Sequence, residues 1–219
     1  MSKQNKVTGV VLAGGMARRM GRQDKGLVLY RHQALVNYAL WALSAVADDV
    51  MINANRNIEQ YQAFGYPVIS DLNGNFEGPL AGILAAMSAA DTEILLVTPC
   101  DTPLVKAEHL HKLLARRAAV DADIAVACDG ERLHPVFLAL RTSLKGSLEK
   151  YLQRGERKVE RWLQQHSMVR VDFSDEPDIF ININTLNELD QLQQQDAIAT
   201  SQDCVREVDE GAAKTAEKS

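Results

Sequence analysis

A glycine-bearing basic segment follows the first apolar run of the chain. Residues 12–26 read LAGGMARRMGRQDKG, directly after the run Val7–Leu12. Glycine has no Cβ, so Gly14 and Gly15 allow a sharp turn and bring backbone N–H groups close to an anion. The cations that follow, with Asp24 as their single acid, are Arg18, Arg19, Arg22 and Lys25. The segment is suited to hold a polyphosphate, although such a loop taken alone is more often a solvated basic turn.

Composition excludes several other classes of protein. The net charge of −5 argues against general affinity for nucleic acid. The apolar runs are far shorter than a membrane-spanning helix, and Met1–Lys6 is polar without the apolar region of a signal peptide. Three widely spaced cysteines without a C-x-x-C pattern are typical of a reducing compartment. We therefore expect a cytoplasmic protein that binds neither nucleic acid nor membrane, with a small anionic ligand as its partner.

The alternation of apolar β-branched runs with helical patterns predicts the fold class. A run such as Val50–Ala54 follows a 3.6-residue pattern that extends from Leu35 to Val46. This order predicts an α/β protein of Rossmann-like, three-layer α/β/α type, with a mostly parallel central sheet. A single domain is expected over residues 1–195. Residues 196–219 carry six acids and three bases with few large apolar side chains, which predicts a disordered acidic tail.

Polar residues follow four of the predicted strands at the point where each strand ends. In order along the chain they are Gly14 with Gly15, Asn53 with Asn55, Asp71, and Asp101. In an open α/β sheet ligands lie beyond the carboxyl ends of the strands. The sequence therefore predicts one shared site at this edge of the sheet.

Asp101 is the candidate metal ligand of that site. It follows a buried strand, in a turn stiffened by Pro99 and Pro103. Mg²⁺ takes one or two carboxylates together with phosphate oxygens, so Asp101, with possible help from Asp71, suits the metal end of a nucleoside triphosphate. An aspartate that only caps the following turn explains the same pattern equally well. Cys100 next to it is better explained as a small buried core residue than as a nucleophile.

Two asparagines near the end of the apolar pattern are candidate ligand contacts. Asn182 and Asn184 fall in the strand-like run Phe180–Asn184, where residues two apart share a face. Amides both donate and accept hydrogen bonds, which suits a heterocycle edge or a phosphate. Turn-forming asparagines on an edge strand are the structural alternative.

Taken together, the ordered motifs resemble those of the molybdenum cofactor guanylyltransferases. The match extends over about residues 7–190 and leaves the tail uncovered. Single motifs such as the LAGG loop also occur in sugar-phosphate nucleotidyltransferases, whereas CDTP and N-x-N-T favour the cofactor enzymes. The motifs are LAGG at 12–15, RMG at 19–21, DK at 24–25, GPLAG at 78–82, CDTP at 100–103 and NINT at 182–185.

The resemblance implies a nucleotide-diphospho-sugar-transferase-like fold and an Mg²⁺-dependent enzyme. GTP would be the donor and Mo-molybdopterin the acceptor, whose terminal phosphate attacks the α-phosphorus while pyrophosphate leaves. Other molybdenum cofactor biosynthesis proteins and molybdoenzyme chaperones are expected as partners. The roles implied for residues are nucleotide binding by Leu12, Ala13, Gly14 and Gly15, charge neutralisation by Arg19 and Lys25, nucleoside contact by Asn53 and Asp71, Mg²⁺ binding by Asp101, and acceptor binding by Asn182 and Asn184.

Two alternatives stay open from the sequence. One is a related nucleotidyltransferase that uses CTP with the same pterin acceptor, or a nucleoside triphosphate with a sugar phosphate. The other is a nucleotide-binding regulatory or carrier module without turnover.

Overall fold

Strands and helices alternate through the chain, as its apolar pattern predicts. The computed structural model describes residues 6–13, 24–72, 78–185 and 187–194, and a last helix, α7, spans 187–194. The other elements, in chain order, are β1 (Val7–Leu12), a 3₁₀ turn (Lys25–Leu27), β2 (Leu29–Tyr30), β3 (Gln33–Ala34), α1 (Leu35–Ser44), β4 (Asp49–Asn53), α2 (Ile58–Gln62), β5 (Val68–Ile69), α3 (Pro79–Ala89), β6 (Ile94–Pro99), α4 (Ala107–Ala119), β7 (Ile124–Cys128), β8 (Leu133–Arg141), a 3₁₀ turn (Thr142–Leu144), α5 (Lys145–Gln153), α6 (Val159–Leu163), β9 (Met168–Asp172) and a 3₁₀ turn (Pro177–Phe180).

Seven of the described strands form one mostly parallel sheet, in the order β5-β4-β1-β6-β8-β7-β9. β8 is the antiparallel member, and it pairs with β6 and β7. The register places Leu12 of β1 beside Asn53 of β4 and beside Pro99 of β6. The chain leaves β1 toward β4 on one side and returns as β6 on the other, which makes the β1/β6 boundary a topological switch point. Ligand crevices of open α/β sheets lie at such points.

Helices cover both faces of the sheet. α1 and α4 pack on one face through buried residues such as Leu43 and Leu113. α3, α5 and α6 pack on the other through residues such as Ile83 and Trp162. Because both faces are covered, β6 is buried at every residue, which explains its largely apolar sequence. The predicted three-layer α/β/α fold is confirmed.

The expected strand over Phe180–Asn184 is wrong. Pro177–Phe180 form a 3₁₀ turn and residues 181–184 are irregular. The Ile183 N–H donates to the Asp101 carbonyl (2.9 Å), so this segment is tied to the end of β6 and does not extend the sheet. Asn182 and Asn184 therefore do not share a strand face.

Several predictions fall on residues that lie outside the described ranges. Gly14, Gly15 and Arg19 are among them, and so is the expected acidic tail over 196–219. The single domain over 1–195 likewise stays a prediction. Within the described ranges, no helix combines the length and the apolar composition that a bilayer crossing requires.

Candidate functional site

A cavity of about 520 Å³ lies at the carboxyl edge of β1, β4, β5 and β6. This volume is within the roughly 300–1,000 Å³ common among small-molecule sites. The structure brings six of the predicted site residues to its wall, where they are joined by residues that the sequence did not single out as ligands. The wall consists of Leu12, Lys25, Asn53, Asn55, Arg56, Asp71, Gly78, Pro79, Pro99, Cys100, Asp101, Val136 and Asn182.

One end of the cavity carries a carboxylate held by two amides. Asn53 Nδ2 donates to Asp71 Oδ1 (3.0 Å), and Asn55 Nδ2 donates to Asp71 Oδ2 (2.8 Å). The Asp71 N–H in turn donates to Asn55 Oδ1 (2.9 Å). Both carboxylate oxygens thus have an amide donor, which fixes Asp71 and the orientation of each amide.

Gly82 leaves space for the Asn53 side chain that holds Asp71. A Cβ built on Gly82 would lie 2.3 Å from Asn53 Oδ1 and 3.0 Å from Leu12 Cδ2. α3 can therefore approach β1 and β4 closely only because residue 82 has no side chain. The helix starts at Pro79, the N1 position that proline favours, after Gly78 with a φ of 82°. Gly78 and Pro79 themselves line the cavity.

The other end of the cavity carries an ion pair. Lys25 Nζ lies 3.1 Å from Asp101 Oδ2, and the two side chains are 18% and 15% exposed. The same ammonium donates to Asn184 Oδ1. An ammonium has three N–H donors, and among the described residues these two contacts use two of them. One donor is therefore left for an anionic ligand.

The segment that carries Asn182 and Asn184 is fixed at its middle and at its carboxyl end. The backbone bond from Ile183 to Asp101 holds its middle at β6. A capping box opens α7: the Thr185 N–H donates to Glu188 Oε2 (2.8 Å) and the Glu188 N–H to Thr185 Oγ1 (3.1 Å). Asn182 consequently lines the cavity while Asn184 contacts Lys25, so the two asparagines have different surroundings.

The backbone of Leu12 and Ala13 at the end of β1 is hydrogen-bonded to the neighbouring strands. The Ala13 N–H donates to the Asn53 carbonyl (2.8 Å), and the Cys100 N–H donates to the Leu12 carbonyl (3.1 Å). The Ala13 N–H therefore belongs to the sheet, and a nucleotide could use it only by displacing that bond. Leu12 contributes directly to the cavity wall.

Cys100 is a core residue. It is 5% exposed, and burial, followed by the negative charge of Asp101, raises the pKa of its thiol well above the ordinary value. A thiol that stays protonated is a poor nucleophile. The expectation of a small buried core residue is confirmed.

Asp101 has the chemistry that a magnesium ion requires. Its carboxylate lines the cavity and is partly exposed, beside the Lys25 ammonium. Mg²⁺ commonly uses one or two carboxylates and completes its shell with phosphate oxygens and water. The residues present therefore fit the ion that the resemblance implies.

A second group of possible metal ligands lies elsewhere in the described part of the chain. It consists of Glu108, His109 and Glu176, which do not line the cavity. The Lys106 N–H donates to His109 Nδ1 (2.9 Å), so in a neutral ring the proton is on Nε2, 3.2 Å from Glu176 Oε2. A metal at Nε2 would have to replace this proton. The group is better explained as a histidine that donates to a carboxylate.

Sequence reasoning missed the contacts that join distant segments. Lys25 and Asn184 are 159 positions apart, and nothing in their spacing indicates that they touch. The sequence predicts that Asn53, Asn55 and Asp71 lie at a common edge of the sheet. It does not predict that the two amides donate to the Asp71 carboxylate. Arg56 and Val136 line the cavity without any motif that indicates it.

Comparison with known proteins agrees with the fold and with the motifs. Residues 9–171 match the family model described as a MobA-like NTP transferase domain. A solved structure named molybdopterin-guanine dinucleotide biosynthesis protein A, from Archaeoglobus fulgidus, superposes with a TM-score of 0.72 over 87% of this chain and 98% of that chain, at 24% identity. A CMP:2-keto-3-deoxy-manno-octonic acid synthetase superposes with a TM-score of 0.65 at 14% identity, over 90% of this chain and 100% of that chain. Both confirm the nucleotide-diphospho-sugar-transferase-like fold.

Curated relatives cover most of the chain at much higher identity. A molybdenum cofactor guanylyltransferase of Shewanella loihica is 44% identical over 86% of this chain and 96% of its own length. One of Shewanella halifaxensis is 45% identical over 85% of this chain and 93% of its own length. With the family model and these relatives in agreement, the chain belongs to the molybdenum cofactor guanylyltransferases, within the MobA-like nucleotidyltransferase family.

Proposed function

We propose that the protein transfers GMP from GTP to the terminal phosphate of Mo-molybdopterin. An oxygen of the acceptor phosphate attacks the α-phosphorus, the bond from the α-phosphorus to the bridging oxygen breaks, and pyrophosphate leaves. The products are Mo-molybdopterin guanine dinucleotide and pyrophosphate. The observation that carries the proposal is one cavity with a polar nucleoside end at Asn53 and Asp71 and a charged end at Lys25 and Asp101.

The residues of the cavity have separate tasks in this reaction. Asn53 and Asp71 contact the nucleoside and fix its orientation, while Leu12 and Ala13 support it from β1. Lys25, with Arg19 from the basic segment, balances the charge that develops on the departing pyrophosphate. Phosphoryl-type transfer is catalysed largely by positioning and by such charge stabilisation. The attacking phosphate oxygen is already an anion, so the reaction requires no general base.

Mg²⁺ is the proposed cofactor, and Asp101 would hold it. When bound, the ion would neutralise phosphate charge and orient the triphosphate. The Lys25 ammonium lies 3.1 Å from Asp101 Oδ2, so lysine and cation would share this carboxylate. Gly14 and Gly15 are proposed to hold phosphate through their N–H groups.

Asn182 and Asn184 are proposed to serve the acceptor. Asn182 presents an amide at the cavity wall, where it can meet a pterin edge or its phosphate. Asn184 also holds the Lys25 ammonium, so the acceptor side and the charged end share a residue. Delivery would involve other molybdenum cofactor proteins and molybdoenzyme chaperones in the cytoplasm.

Product identification tests the proposal. The protein is incubated with GTP, Mg²⁺ and Mo-molybdopterin, and the products are identified by mass together with released pyrophosphate. Molybdopterin guanine dinucleotide is the expected product. A cytosine dinucleotide formed preferentially from CTP would establish the alternative nucleotidyltransferase, and nucleotide binding without pyrophosphate release would establish a binding module.

A further inference from the structure

Asp24 is a buried carboxylate next to the lysine of the charged end. It is 8% exposed, and a carboxylate so placed is costly unless it is hydrogen-bonded. Two uncharged side chains provide those bonds: Tyr61 Oη donates to Asp24 Oδ1 (2.5 Å) and Asn57 Nδ2 donates to Asp24 Oδ2 (3.1 Å). Asn57 caps the start of α2 and Tyr61 lies within the helix. Helix α2 therefore fixes both oxygens of Asp24.

Asp24 also fixes the position of the 3₁₀ turn that carries Lys25. It is the residue before the 3₁₀ turn Lys25–Leu27, and its carbonyl accepts from the Leu27 N–H (3.1 Å). The turn is closed by a bond from the Val28 N–H to the Lys25 carbonyl (3.1 Å). A shift of Asp24 would therefore move the backbone from which the Lys25 side chain extends.

The contact between the Tyr61 hydroxyl and Asp24 depends on the residue types at positions 26 and 57. A Cβ on the buried Gly26 would lie 2.5 Å from Tyr61 Oη, so the hydroxyl reaches Asp24 only because residue 26 is glycine. Asn57 has a φ of 52°, in the left-handed region that asparagine tolerates better than most residues. Its carbonyl accepts from the Tyr61 N–H (3.0 Å), which holds the two donors at a fixed spacing.

Tyr61 stays a donor under ordinary conditions. Its side chain is fully buried, and burial, followed by the neighbouring Cys100 and Asp24 side chains, raises the pKa of the phenol far above the ordinary value. The hydroxyl hydrogen is thus available to the carboxylate throughout the working range of pH.

We propose that Tyr61 and Asn57 are positioning residues for Lys25. They hold Asp24, and through Asp24 the turn, so that the Lys25 ammonium stays between Asp101 and Asn184 at the charged end of the cavity. The part of this inference that concerns turnover rests on the proposed function. The part that concerns the position of Lys25 does not.

Chemical labelling tests the position of Lys25 without any need for turnover. The protein is treated with limiting acetic anhydride, and acetylation at Lys25 is quantified by peptide mass spectrometry. Tyr61→Phe removes one hydroxyl and keeps the ring, and a several-fold rise in the Lys25 rate is expected. Tyr66→Phe is the matched control, because its hydroxyl contacts Ser44 Oγ (2.9 Å) away from the cavity, and it should leave the rate unchanged. An unchanged Lys25 rate in Tyr61→Phe would overturn the inference.

A double-mutant cycle tests whether Tyr61 acts through Lys25. Tyr61→Phe should lower kcat/KM for GTP by about tenfold, since small displacements at a reacting group are costly. In a Lys25→Ala background the same change should cost less than about twofold, because the group that it positions is gone. Equal losses in both backgrounds would show a general structural role and refute the inference.

A second variant covers the case in which Tyr61→Phe does not fold. Asn57→Gly keeps access to positive φ and removes only the amide donor, so it should give the same pattern in the labelling and in the cycle. Failure of the wild-type protein to release pyrophosphate from GTP would refute the proposed function, and labelling would still decide the inference. Normal wild-type turnover with unaltered Lys25 labelling in both variants would refute the inference alone.

Discussion

Gly82→Ala tests the nucleoside end of the cavity most directly. The new Cβ would lie 2.3 Å from Asn53 Oδ1, so the amide must retreat by about 1 Å to reach an ordinary contact distance. Its Nδ2 lies 3.0 Å from Asp71 Oδ1, and a shift of that size breaks the hydrogen bond. The substitution thus adds one methyl group and disconnects the two residues proposed to orient the nucleoside.

The expected change in stability is the difference between two opposing effects. Replacing glycine by alanine inside a helix stabilises it by about 0.5–1 kcal/mol. Losing a hydrogen bond to a charged group costs about 1.5–3 kcal/mol. The net loss is then about 0.5–2.5 kcal/mol, or a fall of several degrees in Tm for a chain of this size. Affinity for GTP should fall by about tenfold, which is about 1.4 kcal/mol.

Gly146→Ala is the matched control for this prediction. Gly146 lies in α5, and a Cβ there would meet nothing within 4 Å. It should therefore raise Tm by a few degrees at most and leave GTP affinity unchanged. Thermal unfolding and calorimetric titration with GTP and Mg²⁺ measure both quantities. If Gly82→Ala raises Tm as Gly146→Ala does and binds GTP with wild-type affinity, the Asn53–Asp71 pair does not orient the nucleoside.

Three further predictions concern other parts of the chain. Lys25→Ala should lower kcat/KM by about 100-fold or more while costing about 1–3 kcal/mol, because it removes charge from the leaving group and a partner from Asp101; a rate within threefold of wild type would contradict this role. Asp101→Asn should weaken the Mg²⁺ dependence of GTP binding, and an unchanged metal titration would remove Asp101 from the metal site. Burial lowers the pKa of His166, so the unfolded state takes up a proton first and stability falls as pH drops below about 6.5. Urea unfolding should show a smaller fall in His166→Gln, and an identical pH dependence would refute this.

The fold can be predicted from the sequence because strands that are buried on both faces of the sheet appear as apolar runs. β1 and β6 are largely apolar runs, and the helices between the strands keep a 3.6-residue pattern. The common edge of the sheet follows from the rule for parallel strands, which is why Asn53, Asp71 and Asp101 lie around one cavity. These inferences use local patterns and a general topological rule.

Contacts between distant segments leave no such signal. The run Phe180–Asn184 has the apolar alternation of a strand, yet Pro177 opens a 3₁₀ turn and Asp101 takes the Ile183 N–H. Tertiary bonds therefore override the local pattern. The Tyr61 hydroxyl on Asp24 is another such case, since Tyr61 alone predicts only a buried aromatic side chain.

The two ends of the cavity are built from different parts of the fold. Substitutions at one end should therefore change the free energies of binding and turnover independently of substitutions at the other. The nucleoside end joins β4 and β5 to α3 through Asn53, Asp71 and Gly82. The charged end joins the 3₁₀ turn at Lys25 to the end of β6 and to the segment before α7, and its Asp24 support comes from α2. Residues in one hydrogen-bonded network are coupled, whereas distant sites without shared partners add. Gly82→Ala and Tyr61→Phe should therefore have additive effects on kcat/KM, although each should be non-additive with a substitution at its own end. Strong coupling between the two would mean that nucleoside orientation and the position of Lys25 depend on one common element.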